Sequence, residues 1–200
     1  MADFYQCYAD LAAAEPEGVH YRVRVVQRAS RIVVLAPHGG RIEPGTSETA
    51  ALIAAGDFSL YCFESLVSGR QLHITSSRFD EPRGLALVAA SDIPIAIHGR
   101  ADHGDPGAIW MGGLHVALRD AVGFSLARAG FAASNYHHMQ GKHPNNICNR
   151  GRFGAGVQIE LPRSLRNAFL RDADARLAFT AAVRGPILEW LRAPICARRD

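Results

Sequence analysis

The chain has 200 residues, of which 48% are hydrophobic and 20% are charged, and its formal net charge is only +3. This is the composition of a globular protein with one sizeable core, and we predict a single domain over residues 1–200. No stretch approaches the ~20 apolar residues of a membrane span, and the first residues lack a signal-peptide pattern. We therefore expect a cytoplasmic protein without a membrane partner.

The charged and sulfur-containing residues exclude two further classes of protein. The four cysteines, Cys7, Cys62, Cys148 and Cys196, are scattered without a C-x-x-C pair, which excludes a disulfide framework and a zinc ribbon. The positive charges, all arginine except Lys142, are not gathered in one run. We therefore expect no nucleic-acid partner, reduced cysteines, and a monomer or small homo-oligomer.

Hydrophobic periodicity predicts strands and helices in alternation along the chain. A short helix over residues 4–14 precedes an edge strand over 21–27, which we place beside a buried strand over 32–36. Further strands are predicted at 58–63, 93–97, 131–136 and 157–161, with a weaker one at 72–75. Further helices are predicted at 49–55, 81–90, 113–129, 163–170 and 173–191, the last broken near Gly185–Pro186. This order predicts an α/β fold in which an open, mixed, mostly parallel sheet is flanked by helices.

Two apolar strands are each followed by a histidine and a glycine. The first strand delivers His38 into an irregular turn, with Glu43 five residues later, and the strand over 93–97 ends in His98-Gly99-Arg100. The carboxyl edge of an open α/β sheet is where ligand crevices form, and imidazole and carboxylate are zinc ligands. Convergence of these side chains from separate strands favours a zinc site. His115, within a predicted helix, is interpreted as a surface or packing residue, whereas His103, in a polar loop, stays a candidate ligand.

The predicted strand over residues 157–161 alternates, which places Gln158 and Glu160 on one face. If that face lines the crevice, Glu160 is a ready general base, and if it faces solvent, Glu160 is a surface residue. The preceding connection, residues 137–152, is long and polar, which is typical of functional or mobile loops. Its Asn149 and Arg150 offer planar hydrogen bonding to a carboxylate or amide.

Three segments together resemble the phage-type poly-γ-glutamate hydrolase family. They are A-P-H-G-G-R-I-E-P-G-T-S-E at residues 36–48, A-I-H-G at 96–99, and N-I-C-N-R-G followed by G-V-Q-I-E-L between 146 and 161. The resemblance covers about residues 32–166 and implies a fold similar to that of the zinc carboxypeptidases. Carried over by position, it implies that Zn²⁺ is bound by His38, Glu43 and His98.

The same resemblance implies a zinc-dependent hydrolase of γ-glutamyl amide bonds with Glu160 as the catalytic carboxylate. Asn149 and Arg150 resemble the Asn-Arg pair that holds a substrate carboxylate in zinc carboxypeptidases, and Arg100 is a further candidate for binding the polyanionic glutamyl substrate. Two alternatives stay open. One is a zinc-dependent peptidase or amidase with a different substrate, and the other is a non-catalytic metal-binding or nucleic-acid-binding protein.

Overall fold

The structure is a computed structural model that describes residues 3–69, 71–102, 105–135 and 138–193. The strands in these ranges are β1 (Tyr21–Val26), β2 (Ile32–Gly40), β3 (Ser59–Ser65), β4 (Ile93–Arg100), β5 (Ile109–Gly112), β6 (Ala133–Ser134) and β7 (Val157–Pro162). The helices are α1 (Tyr8–Ala14), α2 (Thr46–Ala54), α3 (Pro82–Ala89), α4 (Val116–Arg128), α5 (Arg163–Ala168) and α6 (Ala173–Arg192), with a 3-10 turn at Ile147–Asn149.

The described strands form one open sheet in the order β1-β3-β2-β4-β7-β5-β6. Strands β3, β2, β4 and β7 are mutually parallel, whereas β1 and β5 run antiparallel to their partners β3 and β7. The predicted open, mixed, mostly parallel sheet is therefore confirmed. Strand β1 lies at the edge as predicted, but its neighbour is β3 and not β2, because β3 and β4 occupy both sides of β2.

Both faces of the sheet are buried, which explains the unbroken apolar run in β2. On one face, Ile32 and Val34 belong to a core completed by side chains from α2, α4 and α6. On the other face, Val33 and Leu35 pack in a second core with side chains from α1, α3 and the 3-10 turn. Alternation along the strand therefore distributes the apolar residues between two layers.

Two local expectations were wrong, and one strand was missed. Residues 72–75 form no strand, and Ile109–Gly112, four residues that are too short to show alternation, form β5. Helix α6 continues through Pro186, which lacks an N–H donor but is buried within the helix beside Val183 and Ile187, so core packing offsets the lost hydrogen bond. Tyr136 and His137, in the predicted segments 131–136 and 137–152, and the candidate His103 lie outside the described residues.

Within the described ranges, no helix is both long and apolar enough to span a bilayer.

Candidate active site

The site forms where β2, β4 and β7 end side by side. His98 in β4 is the register partner of Glu160 in β7, so the sheet itself places these two side chains next to each other. Glu160, Gln158 and His98 lie on the same face of the sheet, opposite the face of Val157 and Ile159. The open alternative for Glu160 is thereby resolved, because its side chain is 2% exposed and lines a cleft.

A β-bulge in β2 brings His38 to the same face. The pairing with β3 shifts between Ala36 and Gly39, so that Pro37 and His38 together oppose one residue of β3. Without this extra residue, His38 would share the face of Val34 and Ala36. The sequence predicted a turn at His38, whereas the structure places it within the bulged strand, because Pro37 cannot donate to the ladder and interrupts regular pairing.

His38, Glu43 and His98 form a buried cluster whose candidate ligand atoms all lie within 4.8 Å of one another. The Nδ1 atoms of the two histidines are 3.1 Å apart. Glu43 Oε1 lies 3.2 Å from His38 Nδ1, and its Oε2 lies 3.7 Å from His98 Nδ1. Glu43 reaches this position because its backbone N–H donates to His38 O and its Oε2 accepts from Gly99 N.

The opposite nitrogen of each ring faces the loop over residues 72–80. His38 Nε2 lies 2.8 Å from Ile74 O, a carbonyl that can only accept, so Nε2 carries a proton and Nδ1 is the nitrogen that a metal ion would use. His98 Nε2 lies 3.4 Å from Ser76 Oγ. The segment predicted as a weak strand therefore orients both imidazoles, as second-layer partners do at metal sites.

These residues fit a zinc ion. Two imidazole nitrogens and a carboxylate are a common zinc donor set, and the two Nδ1 atoms, 3.1 Å apart, are close enough to bind the same cation. Burial would raise the pKa of Glu43, but the charge and hydrogen bonds of His38 and His98 more than offset it and hold that pKa well below its usual range. Glu43 is thus an anionic ligand throughout the neutral pH range.

Glu160 has the properties of a general base. Its Oε1 accepts from Gln158 Nε2 at 2.9 Å, and Gln158 is in turn held by Asn146. Its Oε2 is buried and has no hydrogen-bond partner within the part of the chain that the structure describes. Burial, opposed by His98 and reinforced by the charge of Glu43, raises the pKa of Glu160 to about 7. Both protonation states are therefore accessible near neutral pH.

The cleft over the cluster has two lobes that share Glu43, His73, His138 and Met139. The polar lobe has a volume of about 570 Å³. It is lined by His38, Thr75, Ser76, Ser77, His98, Gln140, Gly141, Lys142, His143, Asn146, Gln158 and Glu160 as well as the shared residues. The arginine lobe, about 540 Å³, is lined by Asp3, Phe4, Arg41, Ile42, Gln71, Leu72, Gly99, Arg100, Ala101 and Trp110 together with the shared residues.

The three expected substrate-binding residues are placed differently. Arg100 lines the arginine lobe, but its guanidinium donates to the carbonyls of Ala101, Asp105 and Ala108. The amide of Asn149 donates to Gly141 O and accepts from Gly156 N, both backbone groups of its own loop. Arg150 donates to Phe79 O. Asn149 and Arg150 line neither lobe, so their positions do not support the predicted role in substrate binding.

Other residues at the site escaped the sequence analysis. Arg166 in α5 donates to Pro44 O, Arg100 O and Leu161 O, and so connects the segment after β2 with the carboxyl ends of β4 and β7. Gly99 makes room for it, because a Cβ there would lie 2.6 Å from Arg166 Cζ. His115 is the N-cap of α4, in agreement with its interpretation as a packing residue.

A sequence model of the poly-gamma-glutamate hydrolase family matches residues 5–181 of the chain. The chain belongs to this family. It is also 38% identical over 172 residues to the UPF0714 protein YndL of Bacillus subtilis (strain 168), a match that covers 83% of this chain and 66% of YndL. The chain thus spans slightly less than two thirds of the length of that family relative.

Solved structures of similar proteins have the same fold. A bacteriophage poly-gamma-glutamate hydrolase superposes with a TM-score of 0.89 at 30% identity, over 95% of this chain and 99% of that one. A zinc-free apo form of YndL superposes with a TM-score of 0.85 at 33% identity, over 94% and 98% of the chains. An N-formylglutamate amidohydrolase from Ralstonia eutropha JMP134 shares the fold alone, with a TM-score of 0.53 at 14% identity over 87% of this chain and 98% of that one. The predicted fold class is confirmed.

Proposed function

We propose that the protein is a zinc-dependent hydrolase that cleaves γ-glutamyl amide bonds of poly-γ-glutamate. The observation that carries the proposal is the convergence of the buried His38 and His98 with the partly buried Glu43, beside a carboxylate, Glu160, whose Oε2 has no partner among the described residues. Membership of the poly-gamma-glutamate hydrolase family supports the substrate class, and the zinc-free form described for YndL supports the choice of metal.

His38, Glu43 and His98 would hold the zinc ion in this mechanism. When bound, zinc supplies a Lewis acid that lowers the pKa of water and polarises a carbonyl group. Ile74 and Ser76 keep the two imidazoles turned toward the ion through their other nitrogens. This orientation is fixed before binding, so the ligands need little rearrangement.

Glu160 moves the proton. Its unpartnered Oε2 accepts a proton from the attacking water and then returns it to the nitrogen of the leaving amine. Gln158 holds the carboxylate through Oε1, which leaves Oε2 directed at the reaction. Burial raises the pKa of Glu160 above its ordinary value, which makes this carboxylate a better proton acceptor than an exposed glutamate.

The experiment that tests this proposal compares two linkages. Poly-γ-glutamate and poly-α-glutamate are incubated with the purified protein, and chain length is followed by gel electrophoresis and size-exclusion chromatography. We expect shortening of the γ-linked polymer alone, and none with Glu160→Gln protein purified in parallel, which controls for contaminating hydrolases. Cleavage confined to the α-linked polymer, or no cleavage of either, would overturn the proposed substrate.

Asp3 provides a more distant test of the zinc site. Its carboxylate accepts from His73 Nδ1 at 2.6 Å, from Thr75 N at 2.7 Å and from Arg78, and so anchors the loop that orients His38 and His98. We expect Asp3→Asn to weaken zinc affinity by about 10-fold or more, as loss of outer-layer partners does elsewhere. Affinity is measured by competition with a chromophoric chelator.

Asp80→Asn is the matched control for this prediction. Asp80 accepts from Tyr8 N and ties down the same N-terminal segment, but it does not contact His73. Equal zinc affinity in wild-type and Asp3→Asn protein, or an equal loss in Asp80→Asn protein, would show that Asp3 does not position the ligands.

A further inference from the structure

The arginine lobe takes no part in the mechanism above, although it opens onto the metal cluster at Glu43 and adjoins the polar lobe at His73. The polar lobe holds Glu160 and the loop groups that orient the two histidines. A polymer cleaved internally at the junction extends away from it in both directions. The arginine lobe is one of the two lobes that open there and can receive one of these sides.

Arg41, at the edge of this lobe, has a guanidinium group that is held in position by hydrogen bonds to uncharged acceptors. Its Nε donates to Leu66 O at 3.2 Å and its Nη1 to Ser68 Oγ at 3.1 Å, and both acceptors are uncharged. None of the ion pairs among the described residues involves Arg41. The guanidinium is thus fixed by two hydrogen bonds while its charge is not neutralised by a carboxylate.

Arg100 adds a second positive charge beneath the lobe. It is 4% exposed, lies over the Trp110 ring at 3.9 Å, and donates to backbone carbonyls. The two carboxylates that line the lobe are already engaged, Asp3 by His73 and Arg78 and Glu43 by the histidine cluster. A ligand in the lobe therefore meets a positive potential, and Arg41 is the exposed cation that can contact it.

The remaining walls of the lobe are largely apolar, with Ile42, Leu72 and Trp110 among the lining residues. A γ-linked glutamyl unit carries two methylene groups in its main chain and a carboxylate as a branch. An α-linked unit has no methylene group in its main chain. An apolar wall beside a fixed cation is therefore suited to a γ-linked unit, whose main chain can contact the wall while its carboxylate reaches the guanidinium.

We infer that the arginine lobe is a subsite for a glutamyl unit next to the scissile bond, in which Arg41 binds the branch carboxylate. This inference rests on the proposed function and assigns a specificity residue to it. Arg41 is a binding residue that does not touch the reacting atoms. Its loss therefore raises KM with little change in kcat, as expected when an interaction is equally strong in the ground state and the transition state.

The test is steady-state kinetics of Arg41→Gln on poly-γ-glutamate. We expect KM to rise about five- to tenfold, as for one partly exposed charge-assisted contact, with kcat within about twofold of wild type. Arg41→Lys, which restores the charge without the planar fork, should recover part of the affinity. Arg128→Gln is the control, because Arg128 is exposed on α4 and outside both lobes, and it removes the same net charge.

The outcomes separate the subsite from the function. If wild-type protein shortens poly-γ-glutamate and Arg41→Gln has an unchanged KM, the subsite is overturned and the proposed function stands. An equal rise in Arg128→Gln would likewise overturn it, because net charge would then explain the effect. If wild-type protein does not shorten the polymer, the proposed function and the subsite fall together.

Discussion

Replacing Glu160 with glutamine is expected to leave zinc binding intact and to lower turnover of poly-γ-glutamate by about 10²–10⁴-fold, the usual contribution of a positioned general base. Glutamine keeps the shape and an oxygen for the hydrogen bond from Gln158, but it cannot accept the proton of water. Zinc content and kcat are measured on the same preparation. Wild-type turnover in this variant would remove Glu160 from the mechanism.

The same substitution changes how the stability of the zinc-free protein depends on pH. The pKa of Glu160 is about 7 in the folded protein against a reference value of 4.5, so the folded state binds more protons than the unfolded state between these values. The contribution of Glu160 to the free energy of unfolding of zinc-free wild type is therefore fully present below about pH 4.5. It is lost as the pH rises through about 7.

Glu160→Gln removes this titration. We compare the free energies of unfolding of the variant and of zinc-free wild type. The variant's value minus the wild-type value should be larger at pH 8 than at pH 5 by an amount on the order of 3 kcal/mol. Urea unfolding at the two pH values measures the difference. An identical pH dependence in both proteins would mean that Glu160 ionises normally in the folded state.

His98→Ala is expected to abolish both zinc binding and hydrolysis. In the proposed site His98 is one of three ligands, and its Nδ1 lies 3.1 Å from that of His38, so its removal should leave a site that cannot retain zinc at micromolar concentrations. Zinc affinity and activity are measured together. The cleft would keep its substrate-binding residues, so poly-γ-glutamate binding should persist in a pull-down assay.

His115→Asn is the control for this prediction. His115 caps α4 by accepting from Leu118 N, a role that asparagine can fill. This variant should keep zinc and activity. Full activity of His98→Ala without added zinc would contradict the assignment of His98 as a ligand.

The parts of the site that follow from local patterns could be predicted from the sequence. Apolar strands ending in His38 and His98 indicated one sheet edge, and alternation over residues 157–161 placed Gln158 and Glu160 together. The structure brings these side chains to the same cleft. Local patterns do not indicate the order in which strands pair in the sheet. The predicted neighbour of β1 was therefore β2, whereas its neighbour is β3.

The supporting residues could not be predicted because their contacts join distant parts of the chain. Asp3 meets His73 across 70 residues, and Arg166 reaches Pro44 across 122. The bulge at His38 depends on how β2 pairs with β3. Pro37 indicates that regular pairing is interrupted, but it does not determine the register. Asn149 was assigned to substrate by analogy, and its amide donates to Gly141 O and His143 O, contacts that the sequence does not indicate; its role in substrate binding stays a prediction.

The most direct test of the proposed zinc hydrolase is the metal content of purified protein, coupled to the shortening of poly-γ-glutamate before and after chelation. We predict about one zinc per chain, loss of shortening after the chelator, and its return when one equivalent of zinc is added. Absence of zinc at the site, or shortening that persists in the fully chelated protein, would contradict the proposal that His38, Glu43 and His98 hold a catalytic zinc ion.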